Sequence, residues 1–389
     1  QDTSQANPII SYCNLESGFP TTGTDGGGNI SIDPLFCSPD SGDYTLAENS
    51  SCVAAGTNGS NVGAFGVGCG SIHIGPLWYV ATTGSDETGN GTDTNPFATI
   101  QTAIDSSIDG DTVLVAAGTY VENIDFNGKN IVITSTHGAD STIIDGNQLG
   151  RVVTFNGGED STAYLIGFTI QNGLITTANS DGGGIYISHS SPTLENLKVI
   201  NNTSDDDGGG ISCHIASDVA SYPTLRNILV ANNTSADDGG GIHVVASHPD
   251  LYNVTIVNNI SGDDGGGINI ASSQGNPSNV NILNSIIRDN SSNWHNTNSN
   301  LNITYSNIGY GYEGTGNIDA NPLFCNPSGG DFSLGENSPC VGTGDNGANM
   351  GAFGIGCGII NQVFNVPADY GTVQAGIDAT IDGDTVLVA

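Results

Sequence analysis

The chain has 389 residues, with 57 glycines, 40 acidic side chains and only 5 basic ones, giving a formal net charge of −35. Helix bundles and coiled coils are excluded, because they draw on Ala, Leu, Glu and Lys and lysine is nearly absent. Nucleic acids and anionic membranes are excluded as partners, since five cations cannot offset repulsion from phosphates, and no stretch approaches the ~18 apolar residues of a membrane span. Disorder is also excluded, because the 36% hydrophobic content is set in short regular blocks.

In chain order, residues 1–70 carry Asp33-Pro34-Leu35-Phe36-Cys37, Asn49-Ser50-Ser51-Cys52 and Gly63-Ala64-Phe65-Gly66-Val67-Gly68-Cys69. All three recur at one offset of 288 residues, beginning at Asn321, Asn337 and Gly351. The stretch from Ile108 to Ala116 recurs as residues 381–389. The chain therefore reads as an excerpt of a tandem array. Residues 1–70 are the end module of a preceding unit and 71–300 form a solenoid with a capping helix. Residues 301–358 are the Cys-containing end module of that same unit, and 359–389 begin the next.

Pro96 to Asp105 reads as a short amphipathic helix, with a second copy from Thr372 to Ile381. A solenoid needs its open first coil covered, and this helix is the expected lid. The Cys-containing module is expected to close the far end.

Inside the whole unit, Gly-Gly-Gly-Ile occurs at Gly182–Ile185, Gly208–Ile211, Gly239–Ile242 and Gly265–Ile268. The following residues alternate as half-buried strands do. One face carries Ile185/Ile187, Ile211/Cys213, Ile242/Val244 and Ile268/Ile270. The other carries Tyr186, Ser212, His243 and Asn269. Stacking the repeats gives apolar columns at ~4.8 Å spacing. It also gives two Asn columns, Asn196/Asn227/Asn253/Asn284 and Asn172/Asn201/Asn232/Asn258, at corners where Asn tolerates left-handed backbone angles. The predicted fold is all-β, a right-handed parallel β-helix.

Several segments resemble the bacterial and archaeal right-handed parallel β-helix repeat proteins of the pectate-lyase-like superfamily. They include Trp78-Tyr79-Val80 with Gly84-Ser85-Asp86, Pro96-Phe97-Ala98-Thr99-Ile100-Gln101, Gly118-Thr119-Tyr120-Val121-Glu122-Asn123-Ile124 and Gly167-Phe168-Thr169-Ile170-Gln171-Asn172-Gly173. The Cys-containing module looks like the closing segment of large secreted surface proteins in that group. The resemblance covers nearly the whole chain and implies a secreted β-helix, on a fold that hosts lyases, hydrolases, adhesins and structural arrays. In that setting the repeated Cys37/Cys52/Cys69 and Cys325/Cys340/Cys357 imply one disulfide per module with a thiol left over; which two pair is open. Cys213, in an inward column, reads as a small buried hydrophobe.

Pectate lyases of this fold use an Arg or Lys base beside a calcium-binding carboxylate cluster. Here Lys198 and Arg226 face outward on neighbouring coils and read as solubilising charges. His189, His214 and His243 fall five, four and two residues past their triplets and are not expected to converge as metal ligands. The sharpest chemical signal is acidic. Asp181, Asp206, Asp207, Asp237, Asp238, Asp263 and Asp264 stand before the triplets in matching register and should stack along one edge. Unit charges ~4.8 Å apart repel by ~3–4 kcal/mol at an effective dielectric of 20. Such a ladder is expected to splay into solvent or to bind Ca2+, which suits oxygen-only ligands; the Gly84–Asp93 loop, with Asp86, Asn90 and Asp93, is a second calcium candidate.

With no catalytic constellation in view, the expected function is non-enzymatic. The chain reads as an extracellular structural repeat protein in a cell-surface fibre, sheath or filament, its units associating end to end. An adhesin or glycan-binding β-helix and a calcium-dependent polysaccharide lyase are the alternatives.

Overall fold

The computed structural model describes residues 8–15, 23–32, 34–39, 42–48, 50–69, 77–176, 181–215, 220–380 and 383–389. The chain divides into two compact units, 1–74 and 75–389.

The larger unit is a parallel β-helix. Each coil crosses up to three main faces, three coils adding a short strand (Leu174–Ile175, Thr203–Ser204 or Thr234–Ser235), and the strands of the coils pair in parallel with their equivalents one coil away. The first face stacks Leu77–Val80, Thr112–Val115, Val132–Ser135, Tyr164–Ile166 and Thr193–Glu195, then continues through the leading halves of Thr224–Ala231 and Asp250–Val257. The second stacks Gly118–Val121, Thr142–Asp145, Thr169–Gln171 and Lys198–Ile200 on the trailing halves of those long strands. The third is a seven-stranded sheet containing Val153–Phe155, Ile185–Ser188, Ile211–His214, Ile242–Val245 and Ile268–Ala271.

Alternation decides which side chains enter. Ile133, Leu165, Leu194, Leu225 and Leu251 are fully buried in one column, and Ile185, Ile211, Ile242 and Ile268 in another. Each such side chain contributes roughly 1.5–3 kcal/mol of burial, so the stacked columns hold the coils in register. Cys213 lies in the inward column as expected and is fully buried.

Helix α1 (Ile100–Ser106) buries Ile100, Ala103 and Ile104 against the first coil, as a lid should. Thr99 caps it by accepting from Thr102 N–H, and Glu122 accepts from the N–H groups of Ile100 and Gln101, both at 2.9 Å. Asp86 accepts from Ala98 N–H, Thr99 N–H and the Thr99 hydroxyl. Burial alone would raise the Asp86 carboxyl, but these hydrogen bonds outweigh it and hold it below the usual range. Asn90 Oδ1 likewise accepts from Thr92. In the Gly84–Asp93 loop, Asp86 thus anchors the lid and Asn90 shapes a turn. The second copy of the helix spans Val373–Asp378; Ile381 lies outside the described residues.

The end module departs from expectation. Residues near 312–318 lie on the last coil, where the Tyr312 hydroxyl donates to Leu301 O and Asn317 Nδ2 donates to Ile303 O. The Cys-containing part lies along the flank of the β-helix instead. Phe332 packs on Leu229, Ala231 and Val257, while Leu334, Cys340 and Met350 pack on Ile286. Ala352 N–H donates to the Thr255 hydroxyl, and Asn253 Nδ2 donates to Asn349 O. The reason is visible on the second face, where these strands carry apolar side chains outward that water would otherwise meet.

Disulfides join Cys37 to Cys69 and Cys325 to Cys357, leaving Cys52 and Cys340 as buried thiols. Each closes a loop with a sequence separation of 32 residues, for which chain entropy gives about 3–4 kcal/mol. Replacing Cys325 and Cys357 by serine should therefore destabilise the end module by about that amount. Amide exchange across 324–357 would show it, and unchanged protection there would refute it.

Candidate functional site

The acidic edge is built by the glycine triplets. Gly182, Gly208, Gly239 and Gly265 all have positive φ, from +61° to +77°, which turns the chain sharply out of the Asp-bearing corner. The next two glycines allow close approach of the coils. A Cβ on Gly209 would stand 2.3 Å from Thr234 O, and one on Gly184 would stand 2.5 Å from Gly210 O.

The last Asp of each corner is then stacked by the backbone. Asp207 N–H donates to Asp181 Oδ1 at 3.4 Å, Asp238 N–H to Asp207 Oδ1 at 2.8 Å, and Asp264 N–H to Asp238 Oδ1 at 2.9 Å. One oxygen each of Asp181, Asp207 and Asp238 is committed to the next coil, which relieves part of the repulsion. An Oδ2 oxygen faces histidine at Asp181, Asp207 and Asp264. His214 Nε2 lies 2.8 Å from Asp181 Oδ2, His243 Nδ1 3.2 Å from Asp207 Oδ2, and His295 Nδ1 3.4 Å from Asp264 Oδ2.

Two of the three histidines, His214 and His243, do meet on this edge, although only His243 lies in a group of potential metal ligands. Ser212 pairs with His243 and His214 with Val245 on adjacent coils, so His214 and His243 sit two residues apart in register. An even offset on a strand keeps side chains on one face, and the two rings meet edge to face at 5.5 Å. Counting from the triplets hid this; the parity of the offsets would have shown it. Arg151, not singled out by the sequence, joins the same edge. Its Nε donates to Asp181 O at 2.7 Å and its guanidinium lies 4.0 Å from the Tyr186 ring centre. Lys198 and Arg226 stand elsewhere, the first paired with Asp140 and the second over Tyr252.

Six of the seven predicted aspartates fall into groups whose potential ligand atoms lie within 4.8 Å of one another: Asp181/Asp206/Asp207, Asp237/Asp238/Asp263, and Asp207/Asp238 with His243. Asp264 is tied to the ladder by its hydrogen bond to Asp238. The two all-carboxylate groups fit a hard cation with oxygen ligands.

The electrostatics are graded along the edge. Burial pushes Asp207 up to about 7, helped by the charges of Asp181, Asp206 and Asp238. Burial also raises Asp238. At Asp181 burial acts upward too, but His214 and His243 outweigh it and the carboxyl lies below its usual range. His243 is held down to about 3, chiefly by burial and then by His214.

No protein-family model and no curated protein sequence matches the chain. Solved structures do. Pectate lyase Pel9A matches with 15% identity and a TM-score of 0.45, over 74% of this chain and 98% of its own. A rhamnogalacturonan lyase matches with 17% identity and a TM-score of 0.40, over 60% and 73%. Pectin methylesterase PemA from Erwinia chrysanthemi matches with 10% identity and a TM-score of 0.36, over 62% and 92%.

The expectation that this chain is not an enzyme is corrected. The solved structures it resembles are those of enzymes. The premise of that expectation, that no set of catalytic residue types is present, also fails where Arg151, Asp181, Asp207, His214 and His243 meet. At these identities the likeness is one of fold, and what the chain does must be argued from its own residues.

Proposed function

We propose that this chain is an extracellular carbohydrate-active enzyme that cleaves an acidic polysaccharide at the Asp181–Asp264 edge with the help of Ca2+. The observation that carries the reading is the placement of Arg151 and His214 against a carboxylate cluster able to hold a hard cation. Without that cation, a chain at −35 would repel a polyuronate. Disulfides in both end modules favour an oxidising, extracellular setting.

Asp181, Asp206 and Asp207, together with Asp237, Asp238 and Asp263, would hold calcium. When bound, the ion would supply a bridge to a uronate carboxylate and make the neighbouring carbon-bound proton more acidic. Arg151, fixed through its Nε and by Tyr186, presents the rest of its guanidinium to the same carboxylate. β-Elimination would move the carbon-bound proton to His214 as the bond to the glycosidic oxygen breaks and the double bond forms, and the leaving oxygen would take its proton from water.

Two measurements test this. Ultraviolet absorbance should reveal unsaturated products from a panel of uronic-acid polymers with calcium, and the signal should vanish with chelator and in Asp181→Asn. Arg151→Ala should weaken substrate binding, whereas His214→Ala should remove the base and lower turnover. No product from any polymer would overturn the reading. Melting curves at fixed ionic strength should also shift with calcium, by about 2.7 kcal/mol of stabilisation at a hundredfold excess over Kd. Equal midpoints with calcium and chelator would return the ladder to a solvated edge.

A further inference from the structure

His243 is the least expected member of the edge. It sits on Ile242–Val245, on the side of the strand away from the apolar interior, yet it is only 2% exposed. Its Nδ1 is buried without a hydrogen-bond partner, although Asp207 Oδ2 lies 3.2 Å away. At the same register on the flanking coils stand Ser212 and Asn269. Ser212 Oγ and Asn269 Oδ1 are also buried without partners. A buried polar atom left unpaired costs about 1–3 kcal/mol. Three at one register on successive coils, the middle one beside the Asp207 carboxylate, are hard to account for as a packing accident.

Solvation of the ladder does not explain them, because these atoms are shielded from water. Calcium does not explain His243 either, since calcium takes oxygen ligands. A nitrogen donor beside two carboxylates suits a borderline divalent ion, and three protein ligands leave a position open for water or substrate.

We infer that Asp207, Asp238 and His243 form a mixed nitrogen–oxygen site for a zinc-like divalent cation, distinct in its chemistry from the two all-carboxylate groups with which it shares Asp207 and Asp238. Asp207 and Asp238 each contribute a carboxylate oxygen and His243 contributes Nδ1. Ser212 Oγ and Asn269 Oδ1 flank the site and are placed to hydrogen-bond a water or hydroxyl held there. The inference does not depend on the polysaccharide reading, because metal preference is measured without substrate.

The test uses tag-free, chelator-treated protein titrated calorimetrically with Zn2+ and separately with Ca2+, with Co2+ as a visible-absorption probe. Zn2+ should bind at least about tenfold more tightly than Ca2+. His243→Gln should lose that preference, roughly tenfold or more, and change the Co2+ spectrum, while its calcium-dependent melting shift persists. If that variant does not fold by circular dichroism, Asp238→Asn keeps the imidazole and should still weaken Zn2+ by a similar factor. Zn2+ binding no tighter than Ca2+ in the unaltered protein would overturn the inference. So would a folded variant that binds Zn2+ and colours with Co2+ as the unaltered protein does.

Discussion

Replacing Asn233 by leucine is expected to destabilise the β-helix by about 3–5 kcal/mol, although the two side chains are of similar size. Asn202, Asn233 and Asn259 are fully buried and continue as a ladder to Asn290. Asn233 Oδ1 accepts from both the N–H and the Nδ2 of Asn202, at 3.0 and 3.1 Å. Its Nδ2 donates to Asn259 Oδ1 at 3.0 Å and to Val199 O at 2.9 Å. Leucine would strand the Asn202 N–H and the Val199 carbonyl in a dry interior, and each such group costs about 1–3 kcal/mol. Urea unfolding followed by circular dichroism is the measurement. A loss below about 1 kcal/mol would mean that water reaches this corner and that the ladder is not a dry network.

The second large effect is expected at Gly240. A methyl group there would stand 2.3 Å from Ile260 O and 2.8 Å from Gly266 O, both backbone atoms of the following coil. Neither can rotate away, so Gly240→Ala must separate two coils and should cost about 3 kcal/mol. Gly240 also lies between Asp238 and His243. The variant should therefore bind divalent cations more weakly even at temperatures where it is fully folded. Gly371 has open space where its Cβ would be, so Gly371→Ala is the control and should fall within about 0.5 kcal/mol of the unaltered protein. If Gly240→Ala melted like that control, the close approach of the coils would not matter to stability.

The coil was legible because its physics is local. Two-residue alternation and the recurring triplets place Ile185, Ile211, Ile242 and Ile268 in one column without any knowledge of the path between them. The lid helix was legible for the same reason. The Asn corners were read correctly in backbone terms, since Asn172, Asn201, Asn232 and Asn258 all have φ near +57°. The buried ladder, however, runs through the next residue, Asn202/Asn233/Asn259/Asn290, because a residue in the left-handed region turns its successor inward. The site was legible only in its carboxylates. Arg151 comes from the coil before the first triplet, and no periodicity marks it. The flank packing of the end module depends on contacts such as Thr255 with Ala352, and no short-range pattern encodes a path of that length. The outward Leu229, Ala231 and Val257 were the available clue.

A stack of coils usually opens from its free end, one rung after another, because each rung touches only its neighbours. The end module changes that rule here. Phe332 and its neighbours lie across the strands Thr224–Ala231 and Asp250–Val257, and Ile286 of the following coil is held by Leu334 and Met350. A rung beneath this strap cannot leave alone, because the strap must lift first and then frees several at once. Amides of these three coils should consequently exchange with one common opening free energy rather than a gradient toward the end. The edge carrying Asp238 and His243 belongs to these coils, so its geometry is clamped through them by a module packed on Leu229, Ala231 and Val257.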